Sequence, residues 1–514
     1  MNGAESLVST LFSGGVDTCF ANPGTTEIHL VAALDRLEGI RCVLGLFEGV
    51  VTGAADGYAR MAGKPACTLL HLGPGFANGL ANLHNASRAL VPVVNLIGQH
   101  ATYHLHHDTP LTADIEALAR PYSKWLRTSR AASELGRDAA EAIVGARMAP
   151  GRIATLIVPA DAAWGEGGVI AAIPALPRPP VPAVETVERA ATMLRSGLRT
   201  GILIAGNALY GEGLRAAGCI AAGTNSKLFA PYPFTRLERG AGAPTVERIQ
   251  YVLEQAVEQL REFRQLILVG AQAPVAYFAY PGKDSTVTSP GCEIYALASA
   301  GEDCTGALAA LAGALSLRGT ELVGEKAERP PVPSGNITLP GLAVAVGSLL
   351  PENAIVVDES MTSGRTMMAA TRGSPRHDWL ANTGGSIGIA LPLAVGAAVA
   401  CPDRRVLCLT ADGSAMYTPQ ALWTMAREGL NVTTVVFANR VYAVLKREFS
   451  GLGIGNPGPR AMSLLEIGRP DLDWSLLAKG MGVPANRVAS LDAFVLALRE
   501  GFESEGPRLI EVGL

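Results

Sequence analysis

Asp412 and Asn439 stand 27 positions apart, and each follows an apolar, β-branched run: VLCLT from Val406 and VTTVVF from Val432. A strand–turn–helix–strand unit, with the helix spanning about Thr418 to Glu428, brings both residues to one carboxyl edge of a parallel sheet. That edge is where ligands bind in doubly wound folds. One carboxylate and one amide oxygen suit a hard octahedral cation such as Mg²⁺, which completes its shell with phosphate oxygens. Gly413 lets the backbone approach a phosphate, and Ser414 offers a hydroxyl beside a helix N-terminus. The reading is a Mg²⁺-diphosphate cradle. Asp-Gly after a strand and Asn at a strand end are also ordinary turn punctuation, so the reading depends on a second site.

Glu48 supplies that second site. It lies in LGLFEGVVTGAADGYAR, where an apolar strand runs straight into a helix of small residues. A carboxylate held there is largely desolvated, and such groups commonly serve in proton transfer. The helix dipole alone also favours an acid at this position. His71 closes a third apolar run, ACTLLH, and a loop after the fourth carries His100, His104, His106, His107 and Asp108. Clustered histidines suggest a transition metal; in this position the loop reads better as a substrate channel or subunit contact. Gln99, just before it, is a further candidate to face a ligand.

The elements that must position these residues follow from the rest of the chain. At 514 residues the chain is too long for one core, and three domains are expected. Pro-rich stretches at Ala171–Glu185 and Arg329–Gly341 divide it into thirds. The boundaries predicted are 1–170, 186–328 and 336–514. Each third alternates strand and helix signals, with helices about Thr26–Leu37, Gly49–Met61 and Ala77–Leu90 in the first, so the fold class is α/β with three doubly wound parallel sheets. A net charge of −4 argues against nucleic acid. Eight scattered cysteines without a CxxC pair, and no leader pattern, fit reduced thiols and a cytoplasmic protein. Leu380–Cys401 carries no charge, but its four glycines, Asn382, Ser386 and Pro392 describe a glycine-rich turn and a buried helix from about Ile387 rather than a membrane span.

Taken together, FANPGTTE, FEGVVTGAADGYAR, LLHLGPG and ADGS…FANRVY resemble the thiamine diphosphate (ThDP) enzymes of the pyruvate oxidase and decarboxylase group. The likeness runs the whole length and is greatest to benzoylformate decarboxylase, with acetolactate synthases as further relatives. It implies pyrimidine-binding, central and diphosphate-binding domains in that order. It also implies that Glu48 bonds N1′ of the cofactor's aminopyrimidine and promotes loss of the proton from thiazolium C2. Asp412, Asn439 and the backbone oxygen of Val441 would hold Mg²⁺. Gly413, Ser414, Thr362 and Tyr442 would contact the cofactor, and Ile387 would wedge it into a bent shape. Thr25 takes the place of a catalytic serine and His71 that of a proton-transfer histidine.

The chain departs from the family pattern at Ala411 and Ala438, where glycine and a first asparagine are usual. Phe278 stands where benzoylformate decarboxylase has its other active-site histidine. The resemblance therefore implies a decarboxylase or carboligase acting on a 2-oxo acid through a C2 carbanion and enamine, with an aldehyde or keto acceptor in the second case. The alternatives are an acetolactate synthase-like carboligase and a non-catalytic ThDP-binding paralogue. FAD occurs in many such relatives, but no flavin motif stands out here. The family builds each site from two subunits, which implies at least a homodimer, or a homotetramer.

Overall fold

A strand that returns parallel to its predecessor needs a crossover of a dozen or more residues, and the alternating pattern supplies one after most strands. In the computed structural model, which describes every residue except 318 and 321, these units build three sheets. The first takes β1 (Thr18–Asn22), β2 (Arg41–Leu44), β3 (Ala66–Leu70), β4 (Val93–Gln99), β5 (Trp125–Thr128) and β6 (Ile153–Pro159). Their order is β2-β1-β3-β4-β6-β5, parallel throughout.

The middle third supplies β7 (Thr200–Ile204), β8 (Lys227–Ala230), β9 (Arg236–Arg239), β10 (Val246–Arg248), β11 (Gln265–Val269) and β12 (Glu293–Ala298). Five of these form a parallel sheet in the order β10-β8-β7-β11-β12. The last third supplies β13 (Ile355–Glu359), β14 (His377–Ala381), β15 (Val406–Ala411), β16 (Val432–Ala438), β17 (Ala485–Val488) and β18 (Arg508–Gly513). The third sheet runs β17-β18-β16-β15-β13-β14-β9. Its last member, β9, comes from the middle third and lies antiparallel to β14, with Arg239 opposite His377.

Helices cover both faces, so central strands such as β3, β4, β15 and β16 are buried at every position. The protein is α/β, with three doubly wound sheets. The Pro-rich residues 171–183 form neither helix nor strand. Among the described residues no helix is long and apolar enough to cross a membrane.

Two helices fix the first sheet against the third. The Glu48–Ala62 helix crosses the Ala390–Ala400 helix so closely that a methyl on Gly57 would stand 2.1 Å from the carbonyl oxygen of Leu393. One on Gly396 would stand 1.9 Å from that of Ala54. Only glycine fits at either point. The second helix starts at Ala390, three residues later than the apolar pattern suggests, because Gly388 adopts φ +91°. The Leu72–Ala89 helix starts five residues earlier than expected, taking in the LGPG glycines. The helix expected from Thr418 is confined to Ala421–Arg427.

Candidate active site

The carboxyl edge of the first sheet gathers Glu48, His71 and the Asn22–Thr25 turn. Glu48 opens its helix directly after extended Phe47 and is only 7% exposed. Its Oε2 accepts a hydrogen bond from Asn78 Nδ2 at 3.0 Å, and a methyl on Gly75 would sit 3.0 Å from its Oε1. The same methyl would lie 3.3 Å from His71 Cβ, so Glu48 and His71 flank Gly75. His71 follows β3 directly, and its Nδ1 lies 2.8 Å from Oε2 of the buried Glu27. A carboxylate there takes the Nδ1 hydrogen, which fixes the tautomer and leaves Nε2 as the reactive nitrogen. Glu27 also accepts from Gly24 N at 2.7 Å and Thr26 Oγ1 at 2.5 Å. Thr26, rather than Thr25, is the hydroxyl beside His71, at 3.4 Å; Thr25 is exposed at the start of the Thr25–Glu27 turn.

The second edge belongs to the third sheet. β15 and β16 pair in parallel up to Ala411 opposite Phe437, which delivers Asp412 and Asn439 side by side. Asp412 is 3% exposed; its Oδ1 accepts from Gly413 N at 2.9 Å and its Oδ2 from Arg440 N at 2.7 Å. Arg440 makes this possible by adopting φ +58°, and Asn439 Oδ1 caps the turn by accepting from Val441 N at 3.1 Å. Burial pushes the Asp412 carboxyl above the usual range, opposed by the Arg440 and Gly413 amides. No cationic side chain pairs with Asp412 among the described residues, since the Arg440 guanidinium bonds Asp471 at 2.7 Å instead. Tyr442 covers Gly413, where a methyl would lie 2.6 Å from its ring. Ser414 is buried in the same turn.

Between these edges runs the loop Gly384–Ile389, with half-buried Ile387. It is held by a residue that sequence inspection missed. Glu359, at the end of β13 and 3% exposed, accepts from Gly388 N at 3.1 Å, Ala390 N at 3.1 Å and Asn382 Nδ2 at 2.9 Å. Burial pushes its carboxyl up to about 7 against those donors. An acid ending an apolar strand in VVDES was the available signal. Thr362 follows Met361, which has φ +51°, in the next loop. Phe278 is exposed and stacks edge-on against Tyr277, ring centroids 5.0 Å apart. The Tyr277 hydroxyl lies against Gly385, where a methyl would come within 2.2 Å.

Gln99 ends β4, and the histidine loop lies beyond it. Gln99 Oε1 turns back to accept from His100 N at 2.8 Å. His100, His104, His106 and His107 stack on one another around the Thr102–His107 turn, with centroids between 3.8 and 5.6 Å. Among the described residues no three His, Cys, Asp or Glu side chains are grouped as a metal site.

Residues 1–118 match the family model of the thiamine pyrophosphate enzyme N-terminal TPP binding domain, and residues 362–512 that of the C-terminal TPP binding domain. A protein of Mycobacterium tuberculosis named "Putative acetolactate synthase large subunit IlvX" is 52% identical over 514 residues, covering 100% of this chain and 99% of its own. The chain belongs to the thiamine pyrophosphate enzymes. Benzoylformate decarboxylase of Pseudomonas aeruginosa is another relative, 29% identical over 97% of this chain and 96% of its own. Among solved structures, the Rhodococcus jostii ThDP-dependent 4-hydroxybenzoylformate decarboxylase superposes with a TM-score of 0.87 at 22% identity. That match covers 99% of this chain and 98% of the other.

As a thiamine pyrophosphate enzyme the chain carries both cofactor-binding domains, and its residues fit the cofactor. The donors at the third sheet are all oxygen: a buried carboxylate without a cationic partner among the described residues, an amide, and the backbone carbonyls of the turn after Asn439. That set suits Mg²⁺ better than a softer metal. Two residues sequence inspection passed over, Glu27 and Asn78, complete the first edge; Glu27 lies 44 positions from His71, so only the fold brings them together.

Proposed function

We propose that this thiamine pyrophosphate enzyme uses ThDP and Mg²⁺ to cleave or form a carbon–carbon bond next to the carbonyl of a 2-oxo acid. The observation that carries the proposal is the pairing at the first edge: a buried Glu48 carboxylate with a neutral amide donor, beside a histidine whose tautomer is set by Glu27. A desolvated carboxylate can hold or share a proton at the cofactor's N1′, and His71 Nε2 can pass one to or from substrate oxygen. When bound, the thiazolium ring supplies an electron sink as carbon dioxide leaves. Asp412, Asn439 and the Val441 carbonyl would hold Mg²⁺; Gly413, Ser414, Thr362 and Tyr442 would border the diphosphate, and Ile387 would support the ring system. Thr25, exposed at the start of its turn, would meet the substrate.

A carboligase of the acetolactate synthase kind is the second reading. Phe278 favours it, because a phenyl ring has no proton to give where a decarboxylase needs one, and so does the name of the 52% identical relative. We further propose that the working unit is a homodimer or homotetramer in the cytoplasm, with Glu48 of one subunit facing Asp412 of another. Exposed apolar side chains at Met416, Tyr417, Leu445, Ile454 and Leu464, in the segments following Asp412 and Asn439, support such an interface.

The test is purified protein with ThDP and Mg²⁺ against a panel of 2-oxo acids, with and without aldehyde or keto acceptors, measuring carbon dioxide and coupled products. Turnover lost in Glu48→Ala is expected. Full turnover by that variant would sink the mechanism, and no turnover on any acid would favour a non-catalytic paralogue.

A further inference from the structure

A cavity of about 210 Å³ lies between the middle unit and the third sheet. Four guanidinium groups line it, from Arg239, Arg248, Arg365 and Arg372, against two carboxylates, Glu247 and Glu325. Both carboxylates are already engaged. Glu325 lies 3.4 Å from Arg372 and accepts from Thr245 Oγ1 at 2.6 Å, while Glu247 lies 2.8 Å from Lys227. Among the described residues Arg239, Arg248 and Arg365 form no ion pair. Arg239 meets no carboxylate: it donates to Thr371 Oγ1 at 2.6 Å and to the Met368 carbonyl, lies 3.5 Å from His377 Nε2, and sits over the Trp379 ring. Arg248 lies over the ring of Tyr232, 5.0 Å from its centroid.

Like charges gathered in a recess raise its free energy, and a bound anion offsets that cost. Burial, together with the charges of Arg372 and Arg248, pushes the Arg239 guanidinium down to about 9. Burial and then Arg447 lower Arg365 in the same direction. Guanidinium forks match carboxylate and phosphate oxygens in geometry as well as charge.

We infer that this cavity binds an anionic group, a carboxylate or a phosphate, next to the candidate active site. The connection is direct. Tyr232, beneath Arg248, packs 6.1 Å from Tyr277, whose hydroxyl lies against Gly385, two residues before Ile387. Arg365 follows Thr362 by three residues. The anion is therefore either the distal charge of a substrate or acceptor, or the phosphate of a separately bound ligand. Only the first of these sources rests on the proposed function.

The experiment uses protein loaded with ThDP and Mg²⁺, so that the Gly413–Ser414 edge is filled, and titrates it with inorganic pyrophosphate by calorimetry. Saturable binding is expected, weakened about tenfold or more in Arg248→Gln and in Arg365→Gln and weakened by added salt. Arg261→Gln, an exposed arginine on the middle unit, should bind as the parent does. No binding by the parent, or equal binding by all variants, would overturn the inference. A second arm compares KM for 2-oxopentanoate and 2-oxoglutarate, which differ by a distal carboxylate. A KM about tenfold lower for the diacid, abolished in Arg365→Gln, identifies the anion as substrate. Pyrophosphate binding without that preference identifies a separate phosphate ligand. Pyrophosphate binding with no turnover on any 2-oxo acid keeps the anion site and removes the proposed reaction.

Discussion

Glu48, His71 and Glu359 are three titratable residues in three different settings, and the first and last each make a separate prediction. Glu48 has one neutral donor and His71 one carboxylate, so replacing Glu48 by Gln keeps shape and removes proton exchange. Turnover should fall by about 10²-fold or more while cofactor binding, followed by quenching of tryptophan fluorescence, persists. Glu359 differs because its carboxyl, normally near 4.5, is pushed up to about 7 by burial. Between those values the folded chain keeps a proton that the unfolded chain releases. Stability from this group is therefore greatest below about pH 4.5, declines as pH rises to about 7, and is level above it. The whole effect is on the order of 3 kcal/mol. Urea midpoints at pH 5 and pH 8 should show the parent losing ground to Glu359→Gln as pH rises; a constant difference would show an ordinary carboxyl.

At the scale of elements, the crossing of the Glu48–Ala62 and Ala390–Ala400 helices sets the spacing between the two edges. Gly57→Val places bulk against the Leu393 carbonyl and should cost about 1–3 kcal/mol, or more if the helices separate. A lowered thermal midpoint with weakened cofactor retention is expected, because the Gly384–Ile389 loop precedes the displaced helix. The sequence made the apolar strands before Glu48, His71, Asp412 and Asn439 legible, since buried parallel strands are runs of Val, Leu and Thr. It did not reveal β9, whose sequence RLER has three charged residues and sits at a sheet edge, or β14, whose sequence is HDWLA. Nor did it reveal the Glu27–His71 pair or Glu359's grip on the Gly388 loop, because those contacts join residues far apart in the chain. The helix starts were misjudged where glycine or an amide–carboxylate bond, rather than hydrophobic period, decides the first turn.

For the whole molecule, the placement of Glu48 and Asp412 at the edges of two different sheets makes the oligomer testable by mixing. If each site takes Glu48 from one subunit and Asp412 from its neighbour, Glu48→Ala and Asp412→Ala proteins are each inactive. A mixed dimer would then carry one doubly altered site and one intact site. Random reassortment of equal amounts should restore about a quarter of parental activity. Sites contained in one subunit would restore none. Sedimentation of the parent should show a dimer or larger at micromolar concentration.

The strand β9 has a consequence for how this molecule is made. It leaves the ribosome well over a hundred residues ahead of β14, the strand it pairs with. Until then the middle unit must carry a four-residue edge, three of its side chains charged, with unmet backbone donors and acceptors. Conversely, a fragment starting at residue 336 would be born with β14 as a bare rim, ready to recruit any extended segment it meets. The arginines and glutamate of β9 then do two jobs: they keep the waiting strand soluble, and they make the eventual seam between middle and last thirds part of the sheet itself. Such a chain ought to unfold those two thirds together, with the first third able to report a transition of its own in calorimetry.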